Sequence, residues 1–246
     1  MDSLSAAYTA SPLLFWAFGS ALVYVIASYL RWIFRSSPLA RSLPGRGLVE
    51  AGRFLFFLGF PYLALGGWPR QPYQGLLSLE DLGLVGLSQR WPVTRWLEAA
   101  GTGLAVGLAA LLILSVAWLR AGYGPGNTRP HLPRRPAGVV VVSILYLEAH
   151  WAFYRAALGS ALDDAYAGVF LGLGLIYLEW GLNPFWRRGW RRQARAAERW
   201  LRAALALVIA VVFLLTRNLW VCLVVHGLLE LPFWCLGREQ ALTAAM

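Results

Sequence analysis

The stretch from Ala137 to Leu158 reads AGVVVVSILYLEAHWAFYRAAL, apolar for long enough to cross a bilayer yet holding Glu148, His150 and Arg155. A hydrocarbon core takes roughly 20 residues of helix. Inside it an ionisable side chain costs at least about 2.5 kcal/mol on insertion scales, so such groups face a protein interior or a wet cavity and mark function. Two further apolar runs carry the same feature, Glu179 in one and His226 with Glu230 in another.

Around this stretch the composition points the same way. Of 246 residues, 59% are hydrophobic and only 14% charged, which is too apolar for a soluble domain of this length. The expected fold is an all-α polytopic transmembrane bundle forming one integral membrane domain over residues 1–246. Seven spans are expected, at about 12–33, 48–66, 97–119, 137–158, 163–182, 201–217 and 218–236. The second is short and contains Glu50 and Arg53, and the last two are nearly continuous. All 22 basic residues are Arg, which reads as the base composition of a GC-rich bacterium and places the protein in its inner membrane. The net charge of +10 does not indicate nucleic acid, because the Arg residues sit in short segments between apolar runs, where they set orientation and touch anionic lipid.

Cytoplasmic connections carry the excess of Arg. With the N-terminus outside, sixteen Arg fall in inner segments (31–46, 120–135, 187–202 and 238). Only Arg70, Arg90, Arg95 and Arg217 fall outside. That ratio predicts an odd number of spans with the C-terminus inside. The first run has no basic residue before it and Arg31 and Arg35 at its end, the reverse of a secretory signal, so it is expected to remain as a helix. Trp32, Trp96, Trp118, Trp180, Trp186, Trp200, Trp220 and Trp234 fall near span ends, as an aromatic belt requires. Gly103 with Gly107, and Gly168 with Gly172, have the spacing that lets helices approach closely. The Pro-broken segment Gly67 to Trp96 is expected on the outer interface or as a short re-entrant helix. Cys222 and Cys235, thirteen positions apart in one helix, stand about 20 Å from each other, beyond disulfide reach.

Helix geometry sorts the polar residues of the fourth span into two faces. Glu148 and His150 are about 200° apart at 3.6 residues per turn, so one cleft receives one of them. Glu148 shares a face with Arg155, and His150 with Phe153 and Tyr154. In the last span His226 and Glu230 are i, i+4 neighbours and point together. Pro232, just beyond, is expected to loosen that turn.

With these residues in hand, the chain over 137–236 resembles the intramembrane endopeptidases that include the type II CAAX prenyl proteases, the CPBP or Abi group. That family shows Glu-Glu-x-x-x-Arg, then Phe-x-x-x-His, then a late His-x-x-x-Asn or Asp preceded by Asn-Leu-Trp. Here Asn218-Leu219-Trp220 precedes His226 at the family's distance, and Tyr154-Arg155 matches the aromatic-Arg end of the first motif. Counting back from Arg155, His150 and Trp151 occupy the two Glu positions. Glu179 stands where the second motif has His, or Asn183 if the register slides by four, and Glu230 replaces the final Asn. Either the acid and the imidazole have exchanged helices, or peptidase chemistry has been lost.

What the resemblance implies is hydrolysis of a peptide bond in a membrane-associated peptide or protein substrate by an activated water. His226 and His150 would bind water or a metal, Glu179 or Glu148 would be the base, Glu230 would orient His226, and Arg155 would hold a carboxylate. His150, Glu179 and His226 form a plausible zinc set with a position left for water. Two other classes stand beside this one: a non-catalytic membrane scaffold of the same fold, and a haem protein with His150 and His226 as axial ligands. Each residue also has a plainer role. Glu148 and Arg155 would form a structural pair, His150 an interhelical hydrogen bond, Glu179 an interfacial pair with Arg187 or Arg188, and His131 would be solvated.

Overall fold

In the computed structural model the described residues are 12–38, 42–65, 77–86, 90–122, 136–190 and 193–243. Among them the regular structure is entirely helical: α1 (Pro12–Phe34), α2 (Leu43–Phe54), a π-helical turn (Leu55–Gly59), α3 (Phe60–Leu65), α4 (Val93–Gly122), α5 (Ala137–Leu162), α6 (Ala165–Leu182), α7 (Pro184–Trp190), α8 (Gln193–Thr216) and α9 (Leu219–Thr243). Six of these, α1, α4, α5, α6, α8 and α9, contain stretches long and apolar enough to cross a membrane. The molecule is a multi-pass membrane protein. The expected second span, 48–66, is not among the six, because it falls across three short elements, α2, the π-helical turn and α3, which are twelve, five and six residues long.

Large apolar side chains are exposed along the six helices, among them Leu22, Leu112, Ile113, Val224 and Leu228. In water such a surface would aggregate; in a bilayer it is the lipid contact, because lipid tails are as apolar as leucine.

Two sharp turns join helices end to end, and each is built from a residue with positive φ followed by an Asx cap. Asp163 has φ +50° and precedes Asp164, whose carboxylate accepts from the N–H groups of Tyr166 and Ala167 at 2.8 and 3.1 Å. Arg217, also at φ +50°, precedes Asn218, whose Oδ1 accepts from Trp220 and Val221 at 2.9 and 3.3 Å. Each cap satisfies N–H groups at the helix start that have no partner within the helix. The second turn is what separates the nearly continuous last two spans.

The chain divides into two compact units, residues 1–82 with 146–187 and residues 83–145 with 188–246, so the stretch 137–236 contributes to both. In the first unit α1 packs on α6 and on α3. The α5–α6 hairpin closes through small residues: a Cβ on Gly168 would stand 2.5 Å from Gly159 Cα, which is why this position takes glycine. Asn183, after the last residue of α6, ties that end to α1 through Tyr24 Oη at 2.8 Å and Ser28 Oγ at 3.2 Å.

In the second unit α4, α8 and α9 pack mutually, with Gly103 and Gly107 of α4 against Val221 and Val225 of α9. Both small-residue pairs read from the sequence therefore sit at helix contacts. The chain at 83–86 lies against the start of α9, where Gly83 O accepts from Leu219 N at 2.8 Å and Val85 O from Trp220 Nε1 at 3.1 Å. Helix α9 runs through Pro232 to Thr243. Cys222 and Cys235 are both free thiols. His131 and, of the segment Gly67 to Trp96 expected at the interface, residues 67–76 and 87–89 lie outside the described residues.

Candidate functional site

The first unit buries an acid, an imidazole and a phenol against one another. His150 on α5 and Glu179 on α6 are 2% and 1% exposed, and His150 Nε2 lies 3.2 Å from Glu179 Oε2 and 3.3 Å from Oε1. Tyr154, one turn along α5 from His150, donates its hydroxyl to Glu179 Oε1 at 2.5 Å, and its oxygen stands 3.3 Å from Ser20 Oγ on α1. The i, i+4 spacing puts His150 and Tyr154 on one face. The α5–α6 hairpin, closed by Gly168 and Gly172, brings Glu179 to that face.

An ionised carboxylate only accepts hydrogen bonds, so with Glu179 ionised the proton of the imidazole sits on Nε2. Nδ1 is buried and has no hydrogen-bond partner among the described residues. Three aromatic rings box the imidazole, with centroids at 4.4 Å (Tyr154), 4.8 Å (Phe56) and 5.3 Å (Phe57). The two phenylalanines come from the π-helical turn, a type of irregularity found often at functional sites.

The other face of α5 carries a separate pair. Glu148 and Arg155, both buried, approach to 3.6 Å between Glu148 Oε2 and Arg155 Nη2. The two-face division expected from helix geometry holds: His150 and not Glu148 meets Glu179. Glu179 turns inward to His150 and Tyr154 instead of pairing at the interface with Arg187 or Arg188. Asn183, the alternative for the second motif, is bound to Tyr24 and Ser28 and takes no part in the cluster.

No family model, curated protein or solved structure matches the chain.

His226 and Glu230 belong to the second unit. His226 is 1% exposed, and Glu230 lies one helical turn further along α9 in a half-buried position. A zinc site takes at least three protein ligands. Among the described residues no group of three or more His, Cys, Asp and Glu side chains is gathered that could hold a metal ion. His150 and Glu179 belong to the first unit and His226 to the second.

The sequence reading missed Tyr154, Ser20, Phe56 and Phe57 as parts of this cluster. For Tyr154 there was a signal: a hydroxyl in an apolar span, four residues after a histidine. Ser20 and the two phenylalanines carry none, because nothing local says that α1 or the π-helical turn packs there.

Proposed function

We propose that the protein is an intramembrane endopeptidase of the CPBP type, acting on a membrane-associated peptide or protein. The single observation that carries the reading is the buried contact of His150 with Glu179. It is the acid–imidazole pair across α5 and α6 that an exchange of Glu and His between the two motifs would leave.

In this reading Glu179 holds the Nε2–H of His150 and fixes the tautomer, leaving the Nδ1 lone pair to take a proton from water. The water oxygen adds to the scissile carbonyl as its proton passes to Nδ1. The imidazolium is stabilised by Glu179, and the proton is returned to the departing amine as the C–N bond breaks. Arg155 neutralises Glu148 on the other face. His226 and Glu230 keep the roles that the resemblance implies.

Glu179→Gln, nearly isosteric but without the charge, is expected to lower cleavage of a membrane-peptide panel about 10²-fold, the scale of acid–base catalysis. His226→Ala belongs in the same assay. A wild type that folds normally and cleaves nothing across the panel sinks the reading.

In that event the second reading stands, a non-catalytic scaffold. It is favoured by one observation: both oxygens of Glu179 are already engaged and Glu148 already faces Arg155, as in structural intramembrane pairs.

The orientation proposed is N-terminus outside and C-terminus in the cytoplasm, with 48–66 crossing as a seventh, interrupted span in a bacterial inner membrane. At 1.5 Å per residue this segment reaches about 29 Å, close to the hydrocarbon core of about 30 Å. Its Glu50 and Arg53 pair at 3.0 Å. With only six crossings, the Arg cluster at 31–46 and the one at 187–202 would face opposite sides, against the charge rule. Reporter fusions at the two termini are expected to fall on opposite sides of the membrane. Fusions on the same side exclude the seventh crossing.

A further inference from the structure

We infer that Tyr154 is a positioning residue: its hydroxyl fixes the carboxylate of Glu179 in the orientation that meets His150. The inference rests on the proposed reaction for its consequence in catalysis, but not for the contact itself.

A phenol has one proton to donate. With contacts at 2.5 Å to Glu179 Oε1 and 3.3 Å to Ser20 Oγ, the shorter one takes it, and the Ser20 hydroxyl is left to donate back to the phenol oxygen. The result is a directed chain from Ser20 on α1, through Tyr154 on α5, to Glu179 on α6. Tyr154 is fully buried, as is Ser20, so water does not replace either group.

Both carboxylate oxygens face the imidazole, and one of them also meets the phenol. Oε2 lies 3.2 Å and Oε1 3.3 Å from His150 Nε2, and Oε1 is also held by the phenol. A glutamate side chain has three rotatable bonds, and one hydrogen bond to the imidazole leaves the carboxylate free to rotate about its terminal bond. Anchoring Oε1 removes that freedom. The carboxylate then stays on Nε2–H, and Nδ1 is the open nitrogen. Productive groups are held this way when a supporting hydrogen bond locks their rotamer. Phe153, next to Tyr154 and equally buried, has no hydroxyl, so the role belongs to position 154 alone.

The test is Tyr154→Phe, which keeps the ring and removes the oxygen, compared with wild type and Glu179→Gln in lipid nanodiscs. The infrared bands of Glu179 are identified by the wild-type minus Glu179→Gln difference. In Tyr154→Phe these bands are expected to move, while the thermal transition of the protein persists. Bands that superimpose on those of wild type overturn the proposal.

Against the peptide panel, Tyr154→Phe is expected to lower kcat about tenfold with KM unchanged, the effect of one lost hydrogen bond of roughly 1.4 kcal/mol. A moved band with unchanged kcat overturns the positioning role. If wild type cleaves no peptide, the proposed reaction fails, while the infrared comparison still decides whether Tyr154 holds Glu179.

Discussion

Replacing Gly168 by valine is expected to abolish the folded protein, while the same replacement at Gly174, in the same helix, leaves it intact. A Cβ at Gly168 would stand 2.5 Å from Gly159 Cα, 2.6 Å from Gly159 N and 2.6 Å from Arg155 O, all backbone atoms. A side chain can turn away from such a clash; a helix backbone cannot. Relief requires α5 and α6 to separate by roughly 1 Å, and in close-packed interiors inserted atoms already cost about 1–3 kcal/mol when only side chains must give.

The separation would reach the site as well. His150 and Glu179 are on the two helices being forced apart, and their contact at 3.2 Å has little room before it ceases to be a hydrogen bond. A Cβ at Gly174 meets nothing within 4 Å, so valine there should change stability by about 0.5 kcal/mol or less, the scale of helix propensity. Size-exclusion profiles and thermal unfolding in detergent check both variants. A monodisperse Gly168→Val protein with the wild-type transition would show that α5 and α6 do not touch as described.

Arg155→Met is expected to destabilise the protein by about 3–5 kcal/mol, because it leaves the Glu148 carboxylate buried without its countercharge. Glu148 is 0% and Arg155 4% exposed, and their charged groups approach to 3.6 Å. Adding Glu148→Gln to Arg155→Met should restore most of the loss, since removing both charges also removes the cost of keeping them out of water. A double-mutant cycle by reversible unfolding in mixed micelles measures this. Additive losses in the double variant would show that the two charges do not act on each other. The outcome also bears on function, because Glu148 becomes available as a base only if Arg155 does not hold it.

Much of this was legible locally. The apolar runs gave the helices, and the 3.6-residue turn placed His150 with Tyr154 on one face of α5 and Glu148 with Arg155 on the other. Gly168 and Gly172 marked a close approach because small residues at that spacing have few other uses in a membrane helix. The segment 48–66 stands apart from the six long apolar helices for an equally physical reason. Its apolar content is that of a span, but hydropathy does not register hydrogen-bond pattern, and the π-helical turn at Leu55–Gly59 divides it into short helices.

By itself, then, the sequence determined a multi-pass helical membrane protein with ionisable residues set on defined faces of its spans. Periodicity along one helix is a local property, dictated by backbone geometry alone. Only the tertiary structure decided that Glu179 faces His150 instead of the arginines that follow it. It also decided that Tyr154 and Ser20 complete the chain of hydrogen bonds, and that Phe56 and Phe57 enclose the imidazole. Those contacts join residues 25 to 134 positions apart. Which helix meets which is set by how backbones of many segments fit together, and no single segment contains that information.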